Sequence, residues 1–270
     1  MVGNGLSRRG VLGGVLGAGL IVAVSGEEQA VAAQGSLARQ PLVHTRQEWR
    51  ARRPKSSARV LATPPDHIVV HHTQTANSAD NSLAHALELS RRIQRFHMSS
   101  RGWADIGEQL TISRGGHIME GRNGSLRAIQ TGRHVVGAQT LRHNEHTIGI
   151  ENEGAYMRAR PPEALWSSLV EVCAWLCAVY GLDPATAIVG HRDYVATACP
   201  GDVLYARLPR LRKETAAALG AAGSDALALP DGTGDEATES WPDQDLDAPA
   251  PSEPGELWPA EGGPQDSGPV

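Results

Sequence analysis

Two short runs rich in β-branched residues constrain this chain more than any other feature. Residues 67–71 (His-Ile-Val-Val-His) read as a buried central strand, and residues 146–151 (His-Thr-Ile-Gly-Ile-Glu) as another. Helical patterns separate and follow them. Residues 81–98 place Ala86, Leu89, Ile93 and Phe96 on one face. Pro162 opens an amphipathic helix with Leu165, Leu169, Cys173, Leu176 and Tyr180 on one face, ending at Gly181. Residues 108–113 and 117–120 flank Arg114-Gly115-Gly116, a β-hairpin turn. Residues 186–189 suggest a further strand, and Asp202 caps a last helix that Pro209 interrupts. Strands and helices interleave, so the expected class is α/β, a single domain with a central mixed β-sheet flanked by helices.

The ends differ in composition. The formal net charge of −5 hides a partition: residues 221–270 hold twelve Asp/Glu and no Lys/Arg, whereas residues 34–220 carry 23 basic against 16 acidic residues. The last fifty residues also hold eight of the 17 prolines, and cannot bury enough apolar surface to offset the entropy of ordering. They read as a disordered acidic Pro/Gly-rich tail. At the other end, Ser7-Arg8-Arg9-Gly10-Val11-Leu12 is a twin-arginine pattern, followed by an apolar run from Gly10 to Val24 and a small-residue site at 30–33. Residues 1–33 therefore read as a twin-arginine signal peptide. The protein is expected to be secreted, extracellular or in the cell wall, with no stable membrane association after cleavage. The folded domain is assigned to 34–220. At 40 % hydrophobic residues it can form a real core, and three cysteines cannot make a disulfide-stapled mini-domain.

The chemistry concentrates late in the domain. Gly190-His191-Arg192-Asp193 is followed by Thr197-Ala198-Cys199-Pro200-Gly201-Asp202. Zinc hydrolases need three protein ligands and one open position. His191 and Cys199, eight residues apart between a strand and a helix cap, supply two. His71, at the end of a buried strand, is the natural third. Strand alternation sends His71 and His72 to opposite faces, so only one can point at a given metal.

From Thr45 to Leu208 the sequence resembles the zinc-dependent N-acetylmuramoyl-L-alanine amidases (amidase type 2) and the related peptidoglycan recognition proteins. The resemblance rests on Thr45-Arg46-Gln47-Glu48-Trp49, Val69-Val70-His71-His72-Thr73 and Gly102-Trp103-Ala104-Asp105-Ile106-Gly107. It continues through Met119-Glu120-Gly121-Arg122, Asn144, Thr147-Ile148-Gly149-Ile150 and the Gly-His-Arg-Asp to Cys-Pro-Gly-Asp segment. It implies the type 2 amidase fold, Zn2+ held by His71, His191 and Cys199, and cleavage of the amide between N-acetylmuramic acid and L-alanine of peptidoglycan or released muropeptides. Two positions depart from the pattern. Glu108 stands where many members have a tyrosine, and Gln139 where a histidine is usual. Glu151 matches the catalytic glutamate of the cytosolic anhydro-muropeptide amidases and is the first choice for general base, with Glu108 the second. Thr197 matches a position that contacts the reacting carbonyl oxygen; it also suits a threonine capping the local turn.

Two other readings stay open: a non-catalytic peptidoglycan-binding module, and a zinc endopeptidase acting on the peptide cross-bridge. His67, His85, His97, His117, His134, His143 and His146 read as surface or groove residues rather than ligands. Cys173 and Cys177 read as reduced core thiols. The basic domain would attract anionic wall polymers, and nothing resembles a nucleic-acid module.

Overall fold

The computed structural model describes residues 39–226, with side chains through residue 221. The signal-peptide reading, and the acidic-tail reading beyond 226, lie outside the described residues. The chain runs β1 (Val43–His44), β2 (Val60–Leu61), β3 (His67–His72), α1 (Leu83–Arg95), β4 (Leu110–Ile112), β5 (Ile118–Glu120), α2 (Ser125–Gln130), β6 (His134–Val135) and β7 (Thr147–Asn152). It continues with α3 (Glu163–Tyr180), α4 (Pro184–Ala187), β8 (Ile188–Gly190), α5 (Asp202–Tyr205) and α6 (Leu208–Ala226).

Six strands form one mixed sheet in the order β1-β5-β4-β7-β3-β8. The β4–β5 pair is antiparallel; β4–β7, β7–β3 and β3–β8 are parallel. A small antiparallel pair, β2 with β6, lies apart from it. The expected mixed sheet with flanking helices is what the chain forms.

Alternation along the strands sorts the faces. Ile68, Val70, Leu110, Ile112, Ile148 and Ile150 join one core with Leu165, Leu169, Val172, Cys173 and Leu176 of α3 and Leu208 and Leu211 of α6. Gly181 ends α3 in the left-handed conformation (φ 66°), which a glycine adopts at no steric cost. Cys173 and Cys177 are buried free thiols, as expected. On the opposite face, Met119 packs with Ala86 of α1 and with Trp49. The stretch carrying Val69, Gly149, His71 and Glu151 also looks to that side, and it holds the site.

Several motif segments serve one another rather than the site. The Trp49 indole donates to the Glu120 carbonyl (2.8 Å), and Arg46 pairs with buried Asp105 at 3.1 Å. Asp105 also accepts from the Gln94 amide (2.7 Å) and the Asn123 N–H (3.0 Å), so its charge is buried with its lone pairs satisfied.

Element ends shift in detail. The helix expected over 81–98 is capped by Ser82, stops as α-helix at Arg95 and widens into a π-helical turn over Phe96–Ser100. Gly201, not Asp202, is the cap residue of α5, and the Asp202 carboxylate instead pairs with Arg192 at 2.9 Å. The chain breaks at Ala206 and Arg207, ahead of Pro209, which is the second residue of α6, where a missing N–H leaves no bond unmade. α6 runs to Ala226, past the boundary at 220, because alanine-rich sequence propagates a helix that charge composition does not register. Leu169→Ala, in the middle of the α3–sheet contact, is expected to cost about 2–5 kcal/mol. The measurement is a lower denaturant midpoint at unchanged slope.

Candidate metal centre

The parallel register of β3 and β7 sets His71 directly beside Glu151, and β4 adds Thr111 on the far side of Glu151. Neighbouring strands lie about 4.8 Å apart, so these three side chains form one rung on one face. β8 ends at Gly190 alongside Val70, which delivers His191 next to the same rung. The loop after it brings back Cys199. Donor atoms of His71, His191 and Cys199 lie within 4.8 Å of one another. The His71 and His191 ring centres stand 4.4 Å apart, and Cys199 Sγ is 3.6 Å from His71 Nδ1. His72 turns to the other face, as alternation requires, where its Nδ1 accepts from the Tyr156 N–H at 3.2 Å.

Hydrogen bonds orient the donors. His71 Nε2 lies 2.6 Å from Gln139 Oε1, an acceptor only, so the ring proton sits on Nε2 and the Nδ1 lone pair faces Cys199 and His191. Thr140 Oγ1 donates to the same amide oxygen (2.5 Å), and the Gln139 amide nitrogen donates to Thr147 Oγ1 (2.9 Å). These contacts leave one orientation of the amide. Asn144 Oδ1 holds the loop by accepting from the Gln139 and Thr140 N–H groups at 2.7 and 3.0 Å. Gly149 makes the arrangement possible, since a Cβ there would come within 2.7 Å of the Gln139 side chain.

The second loop is tied as firmly. Arg192 bonds Asp202 and the carbonyl of Ala198 and lies over the Tyr205 ring at 4.8 Å. Asp193 accepts from the Gly190 N–H (2.8 Å) and from the Tyr205 hydroxyl. In Gly-His-Arg-Asp, then, the histidine faces the site while the arginine and aspartate build the loop that carries it. The His72 N–H points at Cys199 Sγ (3.4 Å), placing a donor where a thiolate needs one.

Burial tunes the set toward binding a cation. It holds the His71 imidazole well below its ordinary value, helped by the neighbouring charges of His191 and His72, and brings His191 down to about 4. Both rings are therefore neutral, with lone pairs available. Burial and the charge of Glu151 push the Cys199 thiol well up, against the opposing pull of the His72 N–H and Arg192; a coordinated cation would favour the thiolate further. Two neutral imidazoles and one thiol converging from three segments fit a tetrahedral zinc-type centre with one position left open.

Glu151 adjoins this centre, and Glu108 lies close enough to Glu151 to act on its charge, in a different setting. Glu151 is half-buried on the His71 rung, and burial, with the charge of Glu108, holds its carboxyl well above the ordinary range. Glu108 is 1 % exposed, accepts from Thr111 Oγ1 (3.0 Å) and is pushed up to about 7, chiefly by burial. Its other oxygen stands 3.7 Å from His97 Nδ1. That nitrogen accepts the Gly107 N–H, and burial lowers His97 to about 3, so the pair is neutral histidine against carboxyl and no ion pair. Thr197 does cap the local turn, its hydroxyl oxygen accepting from the Cys199 N–H at 3.2 Å.

The family model for N-acetylmuramoyl-L-alanine amidase (Amidase_2) matches residues 61–202, more than half of the chain. The chain belongs to this amidase family. A human N-acetylmuramoyl-L-alanine amidase is 34 % identical over 167 residues, 61 % of this chain and 27 % of the human one, so the chain matches about a quarter of that relative's length. Peptidoglycan recognition protein 1 of Bos taurus is 32 % identical, with 60 % of this chain and 79 % of that one covered. Among solved structures, peptidoglycan recognition protein LE in complex with tracheal cytotoxin, a monomeric diaminopimelic acid-type peptidoglycan, superposes with a TM-score of 0.55. It is 27 % identical, covering 62 % of this chain and 92 % of that one. The amidase family thus includes proteins named as enzymes and proteins named for recognition, and this member shares their fold.

What sequence reasoning missed in this amidase-family chain is the part played by Gln139. It was visible only as a departure; its value lies in a hydrogen bond across 68 positions. Gln139→Leu is expected to weaken metal binding by about 10–100-fold, the usual effect of removing a ligand's orienting partner. Competition with a chromophoric chelator measures it. In the metal-free protein, Glu108 takes up its proton at a higher pH folded than unfolded. The Glu108 contribution to stability should therefore fall as pH rises from about 4.5 to about 7, opposite in sign to the contributions of His191 and His97, whose folded values are lowered. Denaturant titrations of wild type and Glu108→Gln isolate it: the wild type should lose stability relative to the variant across that range.

Proposed function

We propose that this member of the amidase family is a secreted zinc hydrolase that cleaves the amide between N-acetylmuramic acid and L-alanine of peptidoglycan. The observation that carries the reading is the convergence of His71, His191 and Cys199 with Glu151 on the same rung. Those three residues would hold zinc, which would supply Lewis acidity toward water and an amide carbonyl.

The chain's own groups supply the rest. Glu151 is the general base, because it is only partly buried beside the donor set, whereas Glu108 is closed off against Thr111. A carboxylate held above its ordinary value is a better proton acceptor near neutral pH, and such help is typically worth about 10²–10⁴-fold. Glu151 takes the proton of the attacking water and returns it to the departing amine of L-alanine. Glu108, whose charge raises Glu151, keeps that basicity high. The Thr197 oxygen is occupied by the Cys199 N–H, which leaves the hydroxyl proton to donate to the carbonyl oxygen as negative charge develops there. Export follows from the Arg8-Arg9 pattern, and the substrate is wall polymer or released muropeptide.

Two variants separate binding from chemistry. Cys199→Ala should lose the metal, while Glu151→Gln should retain one equivalent and lose turnover by about 10²-fold or more. If Glu151→Gln turned over at the wild-type rate, the base would be reassigned. For the bond itself, mass spectrometry of peptidoglycan digests should show free stem peptides beginning with L-alanine, lost on chelation and restored by zinc. Cuts at a cross-bridge would make the protein an endopeptidase. Unchanged fragments with zinc bound would make it a recognition protein.

A further inference from the structure

A second group of donors converges away from this centre, at the opposite end of the same two strands. Asp66 precedes β3 and His146 precedes β7. The Asp66 N–H donates to the His146 carbonyl (2.9 Å), and the strands go into register at His67 and Thr147. The backbone thus fixes three side chains against one another. His67 Nδ1 lies 2.6 Å and His146 Nδ1 2.8 Å from the same oxygen, Asp66 Oδ1. All three donor atoms fall within 4.8 Å of one another. We propose that Asp66, His67 and His146 form a second binding site, for a divalent cation of the zinc class.

Four features favour a cation here over a simple hydrogen-bonded cluster. First, the donor set is right: two imidazoles and one carboxylate suit zinc, cobalt, nickel or copper rather than the all-oxygen preference of magnesium or calcium. Second, no fixed cation competes for the carboxylate. Among the described residues no lysine or arginine pairs with Asp66; its ion-pair partners are His67 and His146. Partial burial pushes the Asp66 carboxyl up, but hydrogen bonds from His146 and His67 outweigh it and keep the group ionised.

Third, an orienting partner is in place. His146 Nε2 lies 3.0 Å from His143 Nδ1. When His146 Nδ1 gives its lone pair to a metal, the ring proton moves to Nε2 and is donated to His143, the arrangement that steadies metal-bound histidines. Fourth, the group is walled on one side and open on the other. The Tyr194 ring stands 6.0, 4.3 and 5.9 Å from the rings of His67, His143 and His146, while the Asp66 side chain is 61 % exposed. Water or an incoming oxygen ligand can fill the remaining positions.

The distance between the sites settles their relation. His67 and His71 are four residues apart on one strand, about 13 Å at 3.3 Å per residue. Paired catalytic metals sit about 3.5–4 Å apart. The second ion therefore takes no part in the chemistry at Glu151. It pins the starts of β3 and β7 to Tyr194, whose N–H donates to the His191 carbonyl (3.1 Å), and so steadies the loop that carries a ligand of the first site.

Cobalt(II) titration of the metal-free full-length protein tests this without reference to activity. The wild type should take up two equivalents. One brings thiolate-to-metal charge-transfer absorption, and the other adds ligand-field bands without it. Asp66→Asn combined with His146→Ala should lose the second equivalent and keep the charge-transfer band, which also reports that the variant is folded. Cys199→Ser should lose the charge-transfer band and still bind at the second site. Saturation of the wild type at one equivalent, or two equivalents in the double variant, would overturn the proposal. Failure of the amidase reading would leave it untouched, because the expected result involves no substrate.

Discussion

The structure turns on the register between β3 and β7. Parallel pairing that aligns His71 with Glu151 also aligns His67 with Thr147 and Val69 with Gly149. A slip of one residue would exchange the faces of every side chain on the strand. It would carry His71 into the core that Ile68 and Val70 share with α3 and bring His72 to the site face. The register is held because Ile68, Val70, Ile148 and Ile150 are all buried in that core. The same apolar packing that stabilises the domain thus determines which histidine and which carboxylate share the face of the donor set.

Around that frame the polar groups are satisfied in a particular order. Neutral, desolvated imidazoles make good ligands, but only if the correct nitrogen carries the proton. The Gln139 amide settles that for His71, and Asn144, Thr140 and Thr147 settle the orientation of Gln139. The amide serves because its oxygen can only accept. Gly149 leaves the space the amide occupies. The amide at 139 therefore leaves the donor set intact, and Thr111 gives the buried carboxyl at 108 a donor.

The two carboxyl groups illustrate how environment assigns roles. Glu108 and Glu151 are alike in chemistry and act on one another's charge, and each is raised mainly by desolvation. They differ in access: one is sealed against Thr111 and the neutral His97, the other remains partly open beside His71. Proton transfer to a substrate needs access as well as basicity, and the two positions differ in access.

Much of this was legible in the linear chain. The β-branched runs, the amphipathic helix from Pro162 to Gly181 and the spacing of His191 and Cys199 are local patterns, and alternation already divided His71 from His72. The short strands β1, β2 and β6, two residues each, were not legible, because so brief a segment carries no period to read. Nor were the end of α1 at a π-helical turn and the true cap of α5, which depend on where neighbouring groups find partners. By itself the sequence determined the α/β class and the faces of its long elements, which follow from periodicity, and it offered His71, His191 and Cys199 as candidate donors through motif and family resemblance. Only the tertiary structure decided that Gln139 orients His71, that Glu151 is accessible while Glu108 is sealed, and that Asp66, His67 and His146 meet. Each of those depends on contacts between residues far apart in sequence, or on solvent exclusion, and neither is encoded in local pattern.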